Sequence, residues 1–239
     1  MSTQGWGSNL KDVWDKAELH RSGNMQPILV VLSGGMDSAT CLALAKYASV
    51  GGKVGAITFN YGQKHSNETE QAVKIADYFE TGCEVIDLPG LADHFVTSLS
   101  KNSTMEIPDD HAGGIPNTYV PFRNTIMLSI AAGFAQSFKY STIFYGANII
   151  DYSGYPDCRP EYIDAMNKVL DTHDLIHIEA PIVNLTKTDV VKLGEKLKVP
   201  WELTKSCYRG EDKPCGNCPS CQYRKMGFEG AKVKDPIYD

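Results

Sequence analysis

The sequence predicts an α/β fold, a parallel sheet covered by helices, followed by a small four-cysteine segment. Three observations carry this expectation. From Pro27 onward, short apolar runs alternate with longer amphipathic segments, the pattern of parallel strands joined by crossover helices. The first run, residues 28–32, is apolar throughout, as a strand buried on both faces must be, and a Gly-rich turn at 33–38 follows it directly. Four cysteines crowd into the fifteen residues from Cys207 to Cys221. The expected organisation is an N-terminal extension (1–26), an α/β domain (27–200) and a cysteine-bearing segment (201–239).

The elements follow in order. Residues 1–26 show no clear period and are expected to order only against the body, with Trp6 and Trp14 as anchors. Residues 28–32 form the first strand and 37–49 have helical spacing, giving a strand-loop-helix unit. The second strand is 54–60. A helix is expected over 67–80, with Asn67 as its N-cap and Glu70 three positions on. Residues 83–88 read as the third strand. The stretch 102–121 holds three prolines and the pair Gly113-Gly114, and reads as a long surface loop of the kind that often carries function. A helix at 125–138, a strand at 141–147 and a helix at 160–170 come next. The last core helix is 186–197, opened by a capping box of Thr186 and Asp189.

Composition narrows the function. A chain of 239 residues, 42% of them hydrophobic, can bury one sizeable core. The apolar runs fall short of the roughly 20 residues a membrane span needs. The N-terminus carries Asp12, Asp15 and Glu18 and no apolar segment of a secretory signal, so the expected location is the cytoplasm. A net charge of −6 disfavours a polynucleotide substrate held by its backbone. In a reducing compartment, clustered cysteines point to metal rather than disulfides.

The turn Ser33-Gly34-Gly35-Met36-Asp37-Ser38, led in by Leu32, is the most informative stretch. Glycines let a backbone approach an anion closely, and a helix N-terminus supplies free N–H donors with a favourable dipole. A carboxylate here would repel bare phosphate, so Asp37 makes chemical sense if Mg²⁺ bridges it to the oxygens. The bland reading is a glycine turn with Asp37 capping the helix. Cys207, Cys215, Cys218 and Cys221, with seven, two and two residues between them, suit a closed tetrahedral zinc site that is structural rather than catalytic. An iron–sulfur cluster is the alternative that spacing does not exclude. Cys41 and Cys83 read as inert core residues.

Ser-Gly-Gly-x-Asp-Ser after a first strand resembles the pyrophosphatase loop of the adenine nucleotide α-hydrolase superfamily. It is not a Walker loop, since no Gly-Lys-Ser/Thr ends it. Phe59 through His65, Gly114 through Pro121, Arg123-Asn124, and Asp151-Tyr152-Ser153-Gly154-Tyr155-Pro156-Asp157-Cys158-Arg159 are similar to the 7-cyano-7-deazaguanine synthase family, as is the four-cysteine pattern. The resemblance implies ATP-dependent conversion of 7-carboxy-7-deazaguanine and ammonia into the nitrile, through adenylylated carboxylate and amide, with release of AMP and pyrophosphate. It further implies that Thr58, Phe59, Asn60 and Tyr61 receive the adenine, and that Asp37, Arg123 and Lys187 serve the phosphates. Gln63, Arg123, Asn124, Asp151, Tyr152, Ser153, Gly154, Tyr155, Asp157 and Arg159 would serve the deazaguanine. His65 is a candidate proton relay. Phe122 stands where a small residue is expected, which puts the local pocket shape in question. A homodimer is expected, with no direct nucleic-acid or membrane partner.

Rival readings are a related enzyme that stops at the amide or joins the activated carboxylate to another amine, a tRNA sulfur-insertion enzyme, and, from another class, a zinc-ribbon interaction module. The last leaves residues 33–38 unexplained.

Overall fold

The structure is a computed structural model that describes residues 3, 5–23, 26–63, 67–107, 109, 114–148, 154–171, 176–209 and 213–238. Its centre is a five-stranded parallel sheet of β1 (Ile28–Val31), β2 (Val54–Asn60), β3 (Cys83–Asp87), β4 (Thr142–Tyr145) and β5 (His177–Glu179), in the order β3-β2-β1-β4-β5. β1 is hydrogen-bonded on both sides, with Val30 level with Ala56 of β2 and Phe144 of β4. Its side chains alternate between two cores. Ile28, Val30 and Leu32 enter one, and Leu29 with Val31 enter the other.

The first core is covered by α1 (Ser8–Ser22), α2 (Met36–Ala48), α3 (Asn67–Tyr78), α6 (Lys187–Leu197) and α7 (Pro219–Ala231). The second lies under α4 (Arg123–Ser137) and α5 (Pro160–Leu170). α2 is apolar nearly all round, and ten of its thirteen residues are buried, because it is sandwiched between the sheet and further helices. α6 opens with the expected capping box, Thr186 accepting from the Asp189 amide and Asp189 accepting from that of Thr186. α7 crosses close to α6, where a methyl group at Gly227 would stand 3.0 Å from the Lys187 carbonyl oxygen.

Among the described residues, one strand and two α-helices were not foreseen. β5 has only three residues, too few to show a period. α7 begins inside the cysteine cluster, where Cys218 is its N-cap and Pro219 its first residue. α1 forms in a stretch that shows no clear apolar stripe, and its face is made by buried Leu10, Trp14 and Ala17 with Val13 packed beside them. Trp14 packs on Tyr47 of α2 at 4.5 Å between ring centroids, and Trp6 meets Trp14 edge-on at 5.8 Å. Lys196 of α6 lies over the Trp14 ring at 4.4 Å, so both tryptophans do anchor this segment. Asn67, expected as a cap, is instead the first residue of α3. No helix among the described residues is long and apolar enough to cross a membrane.

The C-terminal end is bolted down by Arg224, which is fully buried. Its five N–H donors go to both carboxylate oxygens of Asp235 at 2.6 and 2.8 Å, the Thr204 hydroxyl at 2.6 Å, and the carbonyls of Thr204 and Trp201. Removing one partner of a buried pair strands the other charge and costs about 3–5 kcal/mol, whereas an exposed pair contributes about 1 kcal/mol at most. Asp235→Ala is therefore expected to lower stability by about 3 kcal/mol or more in urea titration. Asp15→Ala, which removes the solvent-exposed Lys11–Asp15 pair, serves as the control and should shift the midpoint little.

Candidate functional site

The order β3-β2-β1-β4-β5 reverses direction between β1 and β4, and in open parallel sheets ligands bind beyond the strand ends at such a reversal. A cavity of about 290 Å³ opens there. Its floor is the turn at 33–38. The turn is preformed by its own serines: Ser33 donates its N–H to the Ser38 hydroxyl at 3.1 Å, the two hydroxyls stand 3.0 Å apart, and the Ser38 hydroxyl lies 3.1 Å from the Gly35 carbonyl. Gly34 takes φ +81°, and a methyl group there would come within 2.7 Å of the Glu68 carbonyl of α3. Ser33, Gly35, Met36, Asp37 and Ser38 line the cavity together with Leu32, while Gly34 supports it from behind.

The N-cap of α2 is Gly35, with no side chain bonded there, and Asp37 sits one residue inside the helix. The capping reading of Asp37 therefore does not hold. Its two carboxylate oxygens instead accept from Lys187 Nζ at 2.8 and 2.6 Å, across 150 residues of chain. The Lys187 side chain is 11% exposed, so it is not a solvated surface charge.

Opposite the turn, Thr58, Phe59, Tyr61 and Gln63 close the β2 side, and Arg123 and Asn124 project from the start of α4. Arg123 donates to the Tyr61 hydroxyl at 3.1 Å and to the Asn124 side-chain oxygen at 3.2 Å. Burial works against its charge, but Tyr61, Tyr145 and Asp157 around it outweigh that and hold it protonated. Asn124 in turn donates to Asp157 at 2.8 Å. Burial pushes the Asp157 carboxyl up, with Arg123 and Asn124 opposing. Tyr155 lines the cavity, stacks on Tyr119 at 6.0 Å and shares a hydrogen bond with Thr118.

Several expected contacts lie elsewhere. Asn60 is exposed and turns its amide to Asp87. Gln63 spends its amide on the backbone of Tyr61 and Phe59, which fixes the turn after β2. Asp157 does not reach the cavity wall but orients Asn124, which does. Gly154 (φ +68°) and Arg159, the N-cap of α5, are also off the wall. Phe122 is 70% exposed, so its bulk leaves the cavity alone; what it carries is a left-handed φ of +54° just before Arg123. Asp151, Tyr152, Ser153 and His65 lie outside the described residues.

The four cysteines come together: the sulfurs of Cys207, Cys215, Cys218 and Cys221 all lie within 4.8 Å of one another and could hold a metal ion. Backbone N–H groups of Cys215 and Cys218 point at the sulfurs of Cys207 and Cys215, as donors that favour thiolates. Cys41 is fully buried, and burial pushes its thiol up. The cluster also shapes the cavity. The Lys205 N–H bonds the Gly34 carbonyl at 2.9 Å, and Lys205, Ser206, Tyr208, Ser220 and Tyr223 form its outer wall. Sequence reasoning missed these residues and Glu68, because a long-range wall leaves no local pattern. The one local signal was an acidic residue opening α3 beside the end of β2.

A glycine- and serine-rich turn before a helix, at the reversal of a parallel sheet and facing a cationic and aromatic wall, is the arrangement of a nucleotide-using α/β enzyme. NMN synthetase from Francisella tularensis shares the fold with TM-score 0.54 and 14% identity, covering 95% of this chain and 98% of that one. The NH3-dependent NAD synthetase from Campylobacter jejuni does so with TM-score 0.53 and 19% identity, covering 85% and 76%. The fold is thus shared with these two synthetases. The family model described as "Queuosine biosynthesis protein QueC" matches residues 27–232, and the chain belongs to that family. Relatives named 7-cyano-7-deazaguanine synthase include one from Oceanobacillus iheyensis, 47% identical over 215 residues (87% of this chain, 96% of that protein). Another, from Thermoplasma acidophilum, is 46% identical over 220 residues (87% and 90%). α1 precedes the matched stretch.

Gly34→Ala tests the floor of the cavity. A left-handed alanine costs about 1–2 kcal/mol, and its methyl would also press on main chain at Glu68, which cannot swing away. The expected outcome is a loss of about 2 kcal/mol or more in chemical denaturation.

Proposed function

We propose that this chain converts 7-carboxy-7-deazaguanine, ammonia and ATP into 7-cyano-7-deazaguanine by two adenylylations in one cavity. The observation that carries the reading is the cavity itself: a phosphate turn with the Asp37–Lys187 pair on one side, and Arg123, Asn124 and Tyr155 on the other. Carboxylate is a poor electrophile, and AMP transfer makes it a mixed anhydride that ammonia can attack. The resulting amide loses its oxygen only if that oxygen is adenylylated in turn.

In this reading residues 33–38 hold the phosphates through backbone N–H groups and the α2 dipole. Arg123 and Lys187 stabilise charge as it builds on pyrophosphate. Asp37 would hold Mg²⁺, which neutralises phosphate charge when bound. Its carboxylate faces the cavity and Lys187 already meets it, so the cation and Lys187 would share one anionic cluster. Tyr155 offers a ring to a flat heterocycle, and the Asn124 amide, oriented by Asp157 and Arg123, offers it hydrogen bonds. Adenine lies against Thr58, Phe59 and Tyr61.

Zinc fits the cysteine cluster. A tetrahedral ion with Zn–S bonds of about 2.3 Å needs sulfurs about 3.8 Å apart, and Cys215 and Cys221 already stand 4.0 Å apart. An iron–sulfur cluster would place several irons between the sulfurs and spread them further. Four thiolates leave no open position, so the metal would hold Lys205 and Tyr208 over the cavity rather than touch substrate. A cytoplasmic homodimer acting on small molecules completes the reading.

Incubation with 7-carboxy-7-deazaguanine, ammonium and ATP, followed by mass spectrometry, is expected to show the nitrile, with two AMP and two pyrophosphate for each one formed. ADP and phosphate would overturn the adenylylation mechanism, and amide as the end product would favour the enzyme that stops there. Asp37→Asn should slow pyrophosphate release about a hundredfold, the scale of one strong transition-state electrostatic contact. Metal analysis should find one zinc per chain. Cys218→Ser should lower zinc content and melting temperature together, since a closed thiolate site contributes directly to folding. Stoichiometric iron would replace zinc by a cluster.

A further inference from the structure

Glu68 lines the cavity, and the reaction described above gives it no part. It stands in the first turn of α3, where its main chain abuts Gly34 of the phosphate turn. Its side chain interacts electrostatically with Arg123 of α4 and with Tyr61 after β2. Three other charged groups face the same space: Asp37 of α2, Lys187 of α6 and Lys205. Asp37 and Lys187 satisfy each other. Among the described residues, no side chain donates a hydrogen bond to the Glu68 carboxylate. A carboxylate beside a phosphate site works against phosphate binding by like charge. Its place between the phosphate turn and Arg123 therefore suits a group that takes protons at the centre undergoing reaction.

We propose that Glu68 is the general base of both nitrogen steps, an assignment that rests on the reaction proposed above. In the first step ammonia forms a C–N bond to the acyl adenylate, the C–O bond to AMP breaks, and AMP leaves with its electron pair. The nitrogen arrives with three protons and keeps two, and Glu68 takes the third. In the second step the amide oxygen is adenylylated, the nitrogen lone pair forms a C=N bond and the first N–H proton passes to solvent; the C–O bond to AMP then breaks as the last N–H proton leaves. Of the two N–H pairs one completes the C≡N bond and the other stays as the nitrogen lone pair, and Glu68 accepts the last proton as AMP departs with the C–O pair. Between steps it returns each proton to solvent.

A base works in its ionised form. Burial raises the Glu68 carboxyl to about 7, with Arg123 opposing. The ionised fraction therefore grows as pH rises through that value, and amide formation should climb with it and fall below it.

The test is Glu68→Gln, which keeps size and removes the basic oxygen. Three rates are read in both proteins: ATP–pyrophosphate exchange with 7-carboxy-7-deazaguanine alone, amide formation with ammonium, and capture of the acyl adenylate by hydroxylamine, which is neutral at neutral pH and needs little base assistance. We expect amide and nitrile formation to fall about a hundredfold, the exchange to fall far less, and hydroxylamine capture to survive. With total ammonium adjusted to hold free ammonia constant, the rising limb near pH 7 in amide formation should vanish. Amide formation within threefold of wild type would overturn the assignment. An equal loss in all three rates would also overturn it, making Glu68 a group that positions Arg123 or nucleotide. Absence of exchange in the wild-type protein would overturn the parent reaction, and the assignment with it.

Discussion

The site depends on β1 being a strand covered on both faces and paired on both edges. A four-residue strand has little stability of its own. It is held because Val30 is level with Ala56 and Phe144 at once and because each face enters a separate core. Its C-terminal end is therefore rigid where the turn at 33–38 begins, and the turn's serines need only bond one another to keep their shape. A turn built on a loose strand would order only when nucleotide arrives, at an entropic cost to affinity.

Around that end the chain gathers groups that sequence separation keeps apart. Asp37 comes from the first turn of α2 and Lys187 from the first residue of α6. Arg123 starts α4, and Glu68 lies in the first turn of α3. All four stand at helix N-termini, because in a parallel sheet every crossover helix begins at the strand-end edge. The helix dipoles there add positive potential to that of Arg123, Lys187 and Lys205, which suits a polyphosphate and offsets the two carboxylates.

The cysteine segment belongs to the same arrangement. It is tied to the phosphate turn through the Lys205–Gly34 backbone bond, to the Trp201–Leu203 turn through Arg224, and to residue 109 of the long loop through Arg209 and Gln222. A metal in the cluster would therefore act on catalysis mechanically, by holding Tyr208 beside Tyr155. The N-terminal helix acts from the other side, clamping α2 and α6 through Trp14, Tyr47 and Lys196.

Strands β1 to β4, the helices between them, the glycine turn at 33–38 and the cysteine quartet were legible in the sequence, because each is a local pattern: an apolar run, a 3.6-residue period, a glycine pair before a helix, thiols at ligand spacing. The capping box of α6 was legible for the same reason. What stayed hidden was set by distance or by thin signals. α1 presents three buried residues in fifteen, and β5 is three residues long. That Asp37 binds Lys187 rather than capping its helix, that Asn60 and Asp157 leave the cavity wall, and that Glu68, Lys205 and Tyr208 join it are outcomes of packing. Sequence alone determined which chemistry the chain carries, since residue types and short spacings are properties of the chain itself. Only the tertiary structure decided which of those groups face one another, because that depends on where the crossover helices set down their first turns.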